Sequence, residues 1–387
     1  MLGLLLVLTL GLAACGSGGD DETGADSDKS ATSSSSKQAP KVKTTPTDGA
    51  TDVSPRDDIE AVVSSGEIDE IELANESGDT VDGTLSDDGK SWTATEPLGY
   101  GKSYTWSGTA LGDNDQESPI EGTFTVVQPD ATLHAQFNVD DDRTYGTAQP
   151  ITLDFDQPVE DKAAAEKALS VETSDSAEGS WAWLDNDTSV HYRPKEYWEP
   201  HTDVHVSAEL YGVDLGGGQW GESDITVDFS IGDDQVLKGD TQQHRLKLYK
   251  DGEQVGDYPV SYGSNSDPRR VTRSGPHVVM ATHKKFSMSN AQFDYENVEV
   301  PWAIRISNNG EFIHGYAPTI DVQGSKNVSH GCINMAPKDA KKVMDFTQLG
   351  DPVEITGSEK ELGPSDGAYY DWTLSWSKWE SLSALKE

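Results

Sequence analysis

The chain has 387 residues, enough for two or three domains that each bury their own core. Charged residues make up 25% and hydrophobic residues 34%, as in a soluble protein, but Asp and Glu outnumber Lys and Arg 68 to 29, giving a formal net charge of −39. Phosphate surfaces repel such a chain, which argues against nucleic acid or anionic lipid headgroups as partners; a solvated, solubility-promoting exterior is the plain reading of the acidity.

Met1 to Ala14 reads MLGLLLVLTLGLAA, an apolar run with the length of a signal-peptide core and too short to span a bilayer. Leu12-Ala13-Ala14-Cys15 resembles a lipobox, in which the signal (1–15) is cut before the cysteine and its thiol carries diacylglycerol, so Cys15 is the expected lipidation site. An ordinary secretory signal with an incidental cysteine is the alternative, and either implies export. No basic stretch precedes the apolar run, so the true start is expected further upstream. Residues 16–40 are rich in Gly, Ser, Asp and Thr and hold almost no apolar residue; they read as a flexible tether.

Residues 41–130 show short alternating runs separated by turn residues: Ile68 to Leu73, a turn at Asp87-Asp88-Gly89, Ser91 to Thr95, then Tyr104 to Ser107. This spacing predicts an antiparallel β-sandwich. A second sandwich is expected over residues 131–233, with strands at Ile151 to Phe155 and Val204 to Leu210 and a helix over Lys162 to Leu169. A loose echo between Trp92 to Tyr104 and His191 to Tyr197 hints at duplication. Neither sandwich shows a nucleophile paired with a base, so both read as spacers or wall-contacting modules.

A third unit is expected over 234–357. It opens with a hairpin, His244 to Tyr249 and Val255 to Val260 about Asp251-Gly252, and continues with strands at Val278 to Ala281, Ala303 to Ile306 and Pro352 to Ile355. Pro337 to Phe346 is the strongest helix, with Ala340, Val343 and Met344 on one face. In the tail, 358–387, Trp372, Trp376 and Trp379 fall at helical spacing and predict a short amphipathic helix docked on the folded part, with a sugar-stacking face as the alternative.

The chemistry concentrates at Ser329-His330-Gly331-Cys332-Ile333-Asn334, with His314 upstream. Once Cys15 is assigned to lipid, Cys332 is left without a disulfide partner among the chain's 2 cysteines. A lone thiol beside histidines is a candidate nucleophile, although a buried structural cysteine is the commoner fate. Gly331 lets the backbone turn and offers its N–H to a substrate oxygen, and Asn334 adds an amide. His314 and His330 both qualify as the base, since His330 lies two residues from Cys332 and shares its face in an extended segment. A zinc site built from His314, His330 and Cys332, with His277 or His283 as fourth ligand, fits no familiar spacing.

The runs His314-Gly315-Tyr316-Ala317-Pro318 and Ser329 to Met335, with 332−314=18 residues between histidine and cysteine, resemble the L,D-transpeptidases, cysteine enzymes that cross-link bacterial peptidoglycan. The resemblance extends over nearly the whole chain and implies a mainly β fold: two immunoglobulin-like sandwiches followed by a β-rich catalytic domain with one or two helices. It assigns Cys332 as nucleophile, His314 as base oriented by the Gly315 carbonyl, and His330 to shaping the nucleophile's loop. It places the Gly331 and Cys332 N–H groups in an oxyanion hole. Tyr295, Asn309, Gly310, Ser329 and Asn334 are expected to line the donor-stem site, with Met288 and Trp302 packing beside it.

Thr272 to Pro276 departs from the Thr-Pro pair many relatives carry before the lid. The implied reaction is acyl transfer from a tetrapeptide stem through a Cys332 thioester, with loss of D-alanine and formation of a 3→3 cross-link. It uses no metal and no cofactor, and carbapenem β-lactams acylate the same thiol. The implied location is a lipid-anchored position on the membrane, facing the cell wall. The alternatives are hydrolysis of the same thioester, an L,D-carboxypeptidase, and a non-catalytic wall-binding lipoprotein.

Overall fold

The computed structural model describes residues 39–112, 115–184, 187–367 and 369–386; Cys15 and nearly all of the expected tether lie outside the described residues. The first sandwich contains β1 (Lys41–Thr45), β2 (Ala50–Val53), β3 (Glu60–Ser64), β4 (Glu67–Asn75), β5 (Gly83–Leu85), β6 (Ser91–Ala94), β7 (Ser103–Leu111) and β8 (Glu117–Val126). Its two sheets have the order β1-β3-β6-β5 and β2-β8-β7-β4. Alternation along each strand sends Leu73, Trp92, Trp106 and Ile120 inward. Trp92 and Trp106 meet edge to face at 5.3 Å between centroids.

The second sandwich contains β9 (Ala131–Leu133), β10 (Ala135–Phe137), β11 (Arg143–Tyr145), β12 (Ile151–Phe155), α1 (Lys162–Lys167), β13 (Leu169–Thr173), β14 (Gly179–Trp183), β15 (Ser189–Pro194), β16 (Asp203–Ala208), β17 (Gln219–Gly221) and β18 (Ile225–Ile231). Asp161 caps α1 by accepting from the Ala164 N–H, and the helix stops before Leu169, which opens a strand. The sheet orders are β10-β12-β15-β14 and β11-β18-β16-β13. With β9 and β17 set aside as a separate parallel pair, this is the winding of the first sandwich strand for strand. Trp92 and Tyr192, the centre of the sequence echo, lie on the corresponding strands β6 and β15.

The sandwiches are joined by specific polar contacts. Gly212 N–H donates to the Tyr100 hydroxyl at 2.7 Å, Tyr211 donates to the Leu98 carbonyl at 2.7 Å, and Arg56 pairs with Asp224.

The third unit contains β19 (Gln235–Asp240), β20 (Arg245–Lys250), β21 (Glu253–Ser261), β22 (Gly275–Val278), β23 (Ala281–Asn290), β24 (Tyr295–Arg305), β25 (Phe312–Gly315), β26 (Ile333–Met335), α2 (Pro337–Phe346) and β27 (Pro352–Thr356). Nine strands form one sheet in the order β22-β27-β19-β20-β21-β26-β25-β24-β23. The β20–β21 turn uses positive φ at Asp251 and Gly252, 52° and 76°, as a tight hairpin requires. The single strand expected over Val278 to Ala281 is instead the junction of two, β22 ending at Val278 and β23 starting at Ala281. Pro337 starts α2, and Ala340 and Val343 bury its inner face among Ile304, Ile313, Ile333 and Met335.

The tail divides. Ser358 and Leu362 hydrogen-bond to Ser274, and Asp366 to Arg273, so this part belongs to the third unit. Beyond it the expected single helix is a 3-10 turn, Asp371–Thr373, followed by α3 (Trp376–Glu380). Extended backbone at Leu374 (ψ 135°) breaks the helix, and Ser375 caps the new one by accepting from Lys378 N–H. Docking is what the tryptophans do: Trp379 is fully buried with its indole N–H on the Ser180 carbonyl, and Trp372 donates to the Ala148 carbonyl. Arg193 lies under three of these rings, Trp372, Trp376 and Trp379.

Candidate active site

Two short neighbouring strands set the site. β25 and β26 run parallel, with Ile313 opposite Ile333 and His314 opposite Asn334. Successive side chains on a strand face opposite ways, so Ile313 and Ile333 enter the core under α2 while His314, Asn334 and the preceding Cys332 face the other side. There Cys332 packs with Met288, Val300, Ala303 and Phe312 beneath the β23–β24 hairpin.

The loop before Cys332 is fastened at several points. Arg270 donates to the carbonyls of Val328 and Ser329, at 2.5 and 3.1 Å, and Thr272 donates to the Gly331 carbonyl at 2.7 Å while accepting from Gly263 N–H. Gly331 has φ +125°, a conformation that side chains disfavour. Its N–H points to Ser329 Oγ at 3.2 Å, and that hydroxyl donates to the Cys332 carbonyl at 2.6 Å. The Gly331 N–H expected to be open is thus engaged within the loop, and Ser329, besides shaping that loop, lines the hollow beside Cys332.

His314 is 4% exposed and its Nδ1–H donates to the Gly315 carbonyl at 3.1 Å, the orienting contact expected of a base, which leaves Nε2 as the acceptor. Burial drives the His314 pKa down to about 4. Burial likewise pushes the Cys332 thiol up to about 12, slightly opposed by a hydrogen bond from the Phe312 backbone and reinforced by the Glu311 charge. The resting pair is therefore a neutral imidazole and a neutral thiol. His330 is exposed, its ring 4.8 Å from Phe293 and 5.5 Å from Tyr295, a wall position consistent with shaping the loop.

Two hollows meet at Cys332. The smaller, about 270 Å³ and inner in the sense that the buried His314 and Asn334 line it, also has Tyr316 and Thr319 in its wall; the larger, outer cleft, about 540 Å³, is lined by Arg273, Arg305, Asn309, Gly310 and Gly331. Met288, Tyr295 and His330 border both. The residues expected to line one donor site are thus divided, with Asn334 inside and Asn309 and Gly310 outside. Asn334 Oδ1 is buried in the inner hollow with no hydrogen-bond partner among the described residues. Trp302 lines neither; it packs against the α2 side of the sheet with the Lys341 ammonium 5.4 Å from its ring.

Comparison with known proteins bears on the same residues. The family described as the L,D-transpeptidase catalytic domain matches residues 234–355, and a bacterial Ig domain family matches 50–214. L,D-transpeptidase 5 of Mycobacterium tuberculosis is 42% identical over 350 residues, covering 90% of this chain and 78% of that protein. The chain belongs to the L,D-transpeptidase family. L,D-transpeptidase 2 of the same species is 32% identical over 98% of this chain and 94% of its own length. Among solved structures, an L,D-transpeptidase in complex with imipenem is 27% identical, covers 59% of this chain and 99% of its own, and has a TM-score of 0.49.

In this L,D-transpeptidase several supporting residues gave no signal in the sequence. Glu311 is 3% exposed; it accepts from Arg273 N–H and Ser307 Oγ and pairs with His277 Nε2 at 3.2 Å. His277 is thereby engaged behind the nucleophile's loop, and His283 packs on Phe286, so the four-residue zinc arrangement is not assembled. Among the described residues no cluster of His, Cys, Asp or Glu is arranged to hold a metal ion. Thr272 and Arg270 lie 59 residues from the carbonyls they hold. Only the motif's own neighbours were legible locally.

Proposed function

We propose that this L,D-transpeptidase joins two peptidoglycan stems through a Cys332 thioester, the reading carried by the placement of Cys332 where two hollows meet. The donor tetrapeptide occupies the outer cleft. His314 Nε2 takes the thiol proton as Sγ attacks the carbonyl of the third, diamino-acid residue; the C–N bond breaks, His314 returns the proton to the departing amine, and D-alanine leaves. An acceptor side-chain amine then arrives through the inner hollow. His314 borders that hollow and not the outer cleft, so the group that must take the amine's proton faces the acceptor's path. Asn334 Oδ1, buried and unpartnered, is placed to accept from that amine. Attack on the thioester gives a 3→3 cross-link and regenerates the thiol.

The Cys332 N–H is the oxyanion donor this reading retains, since Gly331 N–H is turned to Ser329. The inner hollow favours an amine acceptor over water, because hydrolysis calls for no second peptide site. Carbapenems acylate Cys332 in place of the donor. The lipobox reading places the enzyme on the membrane through Cys15, with the sandwiches between anchor and catalytic unit. The deciding experiment incubates the full chain with disaccharide tetrapeptide and weighs the products. A dimer lighter by one D-alanine supports cross-linking, a disaccharide tripeptide alone supports the carboxypeptidase, and Cys332→Ala should give neither. Cys15→Ser should release the protein from membranes or leave it held by an uncleaved signal.

A further inference from the structure

Among the described residues the outer cleft contains one arginine with no acidic partner. Arg305 ends β24, opposite Phe312 on β25 and Ala281 on β23. Its Nε donates to the Ser307 carbonyl at 3.1 Å, Nη2 reaches the Asn308 carbonyl more loosely at 3.5 Å, and the guanidinium carbon lies 5.5 Å from the centre of the Phe312 ring. All three contacts are to uncharged groups, and Nη1 makes none among the described residues. The other arginines of the cleft are neutralised, Arg269 by Asp267 and Arg273 by Asp366. Glu311, the carboxylate among the cleft residues, is buried and saturated by Arg273 N–H, His277 and Ser307. In a chain with 68 acidic residues to 29 Lys and Arg, a guanidinium held in place beside the nucleophile without a counter-ion is poised to bind an anion.

We propose that Arg305 receives the C-terminal carboxylate of the acyl donor, on the residue that departs when Cys332 is acylated. The proposal rests on the thioester reading above and adds a specificity determinant to it. The departing residue is terminal, so its carboxylate is free and lies one residue beyond the carbonyl that Cys332 attacks. Phe312, under the guanidinium, packs in the same cluster as Cys332, and Arg305 and Cys332 line the same cleft. A planar guanidinium fixed by carbonyls on one side offers the opposite side to a carboxylate without reorganising. Donors ending one residue past the scissile bond are selected, and donors with a blocked terminus lose the contact.

The test uses the full chain and two synthetic disaccharide tetrapeptides that differ only in ending as carboxylate or carboxamide, with kcat/KM read from release of D-alanine or D-alaninamide. The parent should favour the carboxylate by roughly tenfold or more, the scale of a charge-assisted hydrogen bond. Arg305→Gln should erase that preference by slowing the carboxylate substrate alone, and Arg305→Lys should restore part of it. Equal turnover of both substrates by the parent overturns the proposal, and this comparison needs no variant to fold. Equal slowing of both substrates in Arg305→Gln overturns it too, because a structural role does not discriminate termini. Release of neither product by the parent strikes at the thioester reading itself, and the proposal falls with it.

Discussion

The Cys332 thiol donates to the carbonyl oxygen of Gly310, with sulfur and oxygen 3.6 Å apart. The proton of the nucleophile thus rests on an uncharged acceptor, with the thiol's pKa raised by burial to about 12 and that of His314 lowered to about 4. Proton transfer must then accompany attack. The rate of carbapenem acylation should be level over roughly pH 5 to 9 and fall toward pH 4 as His314 becomes protonated. His314→Ala should slow acylation by roughly 10²–10⁴-fold while the pH profile of iodoacetamide alkylation stays where it was. A parent thiol that titrates below the ordinary cysteine range, and loses this in His314→Ala, would show instead a resting thiolate–imidazolium pair.

Thr272→Val removes one hydroxyl that serves two buried backbone groups, the Gly331 carbonyl and the Gly263 N–H, at nearly constant shape. Each group left unpaired costs about 1–3 kcal/mol. Thermal melts should show a loss on that scale, and acylation should slow by about tenfold as the nucleophile's loop loosens. The Cys332 alkylation profile should not move, since Thr272 does not touch the sulfur.

Asp351, fully buried, has its carboxyl pushed up to about 8, chiefly by burial, with the Gln348 N–H opposing and the charges of Asp233 and Asp234 adding. Unfolding releases it to ionise at its ordinary value of 3.8, so between that pH and about 8 the unfolded chain holds fewer protons at this site. Its contribution to stability is therefore present at low pH and lost as pH rises through this window. Asp351→Asn should melt progressively higher relative to the parent from pH 4 to pH 8, and the gap should then stop growing. A gap independent of pH contradicts the assignment.

Trp379 is fully buried against β14, its indole N–H on the Ser180 carbonyl. Trp379→Ala should cost about 3–5 kcal/mol, the range for emptying a buried aromatic site. An earlier melt, with carbapenem acylation unchanged below it, is the expected result, because the indole packs on the second sandwich and not on the catalytic unit. An acylation defect in the folded variant would show that the tail transmits to the cleft.

By itself the sequence determined whatever repeats over a few residues. Period-two alternation gave the sandwiches, and the turn at Asp251-Gly252 gave the hairpin. Pro337 with Ala340 and Val343 gave α2, and the motif from Ser329 to Asn334 with His314 gave the candidate nucleophile and its candidate base. These signals are local because backbone geometry sets their periods. Tertiary structure alone decided the rest. Ser329 turns the Gly331 N–H inward, Asn334 and Asn309 fall in different hollows, and Leu374 splits the tail helix. It also decided the charge states: burial, which a sequence does not display, makes Cys332 and His314 neutral. Among the described residues Arg305 lacks a counter-ion, while Asp366 reaches Arg273 across 93 residues of chain. Desolvation and pairing depend on groups far apart in the chain, so they exist only once the chain has packed.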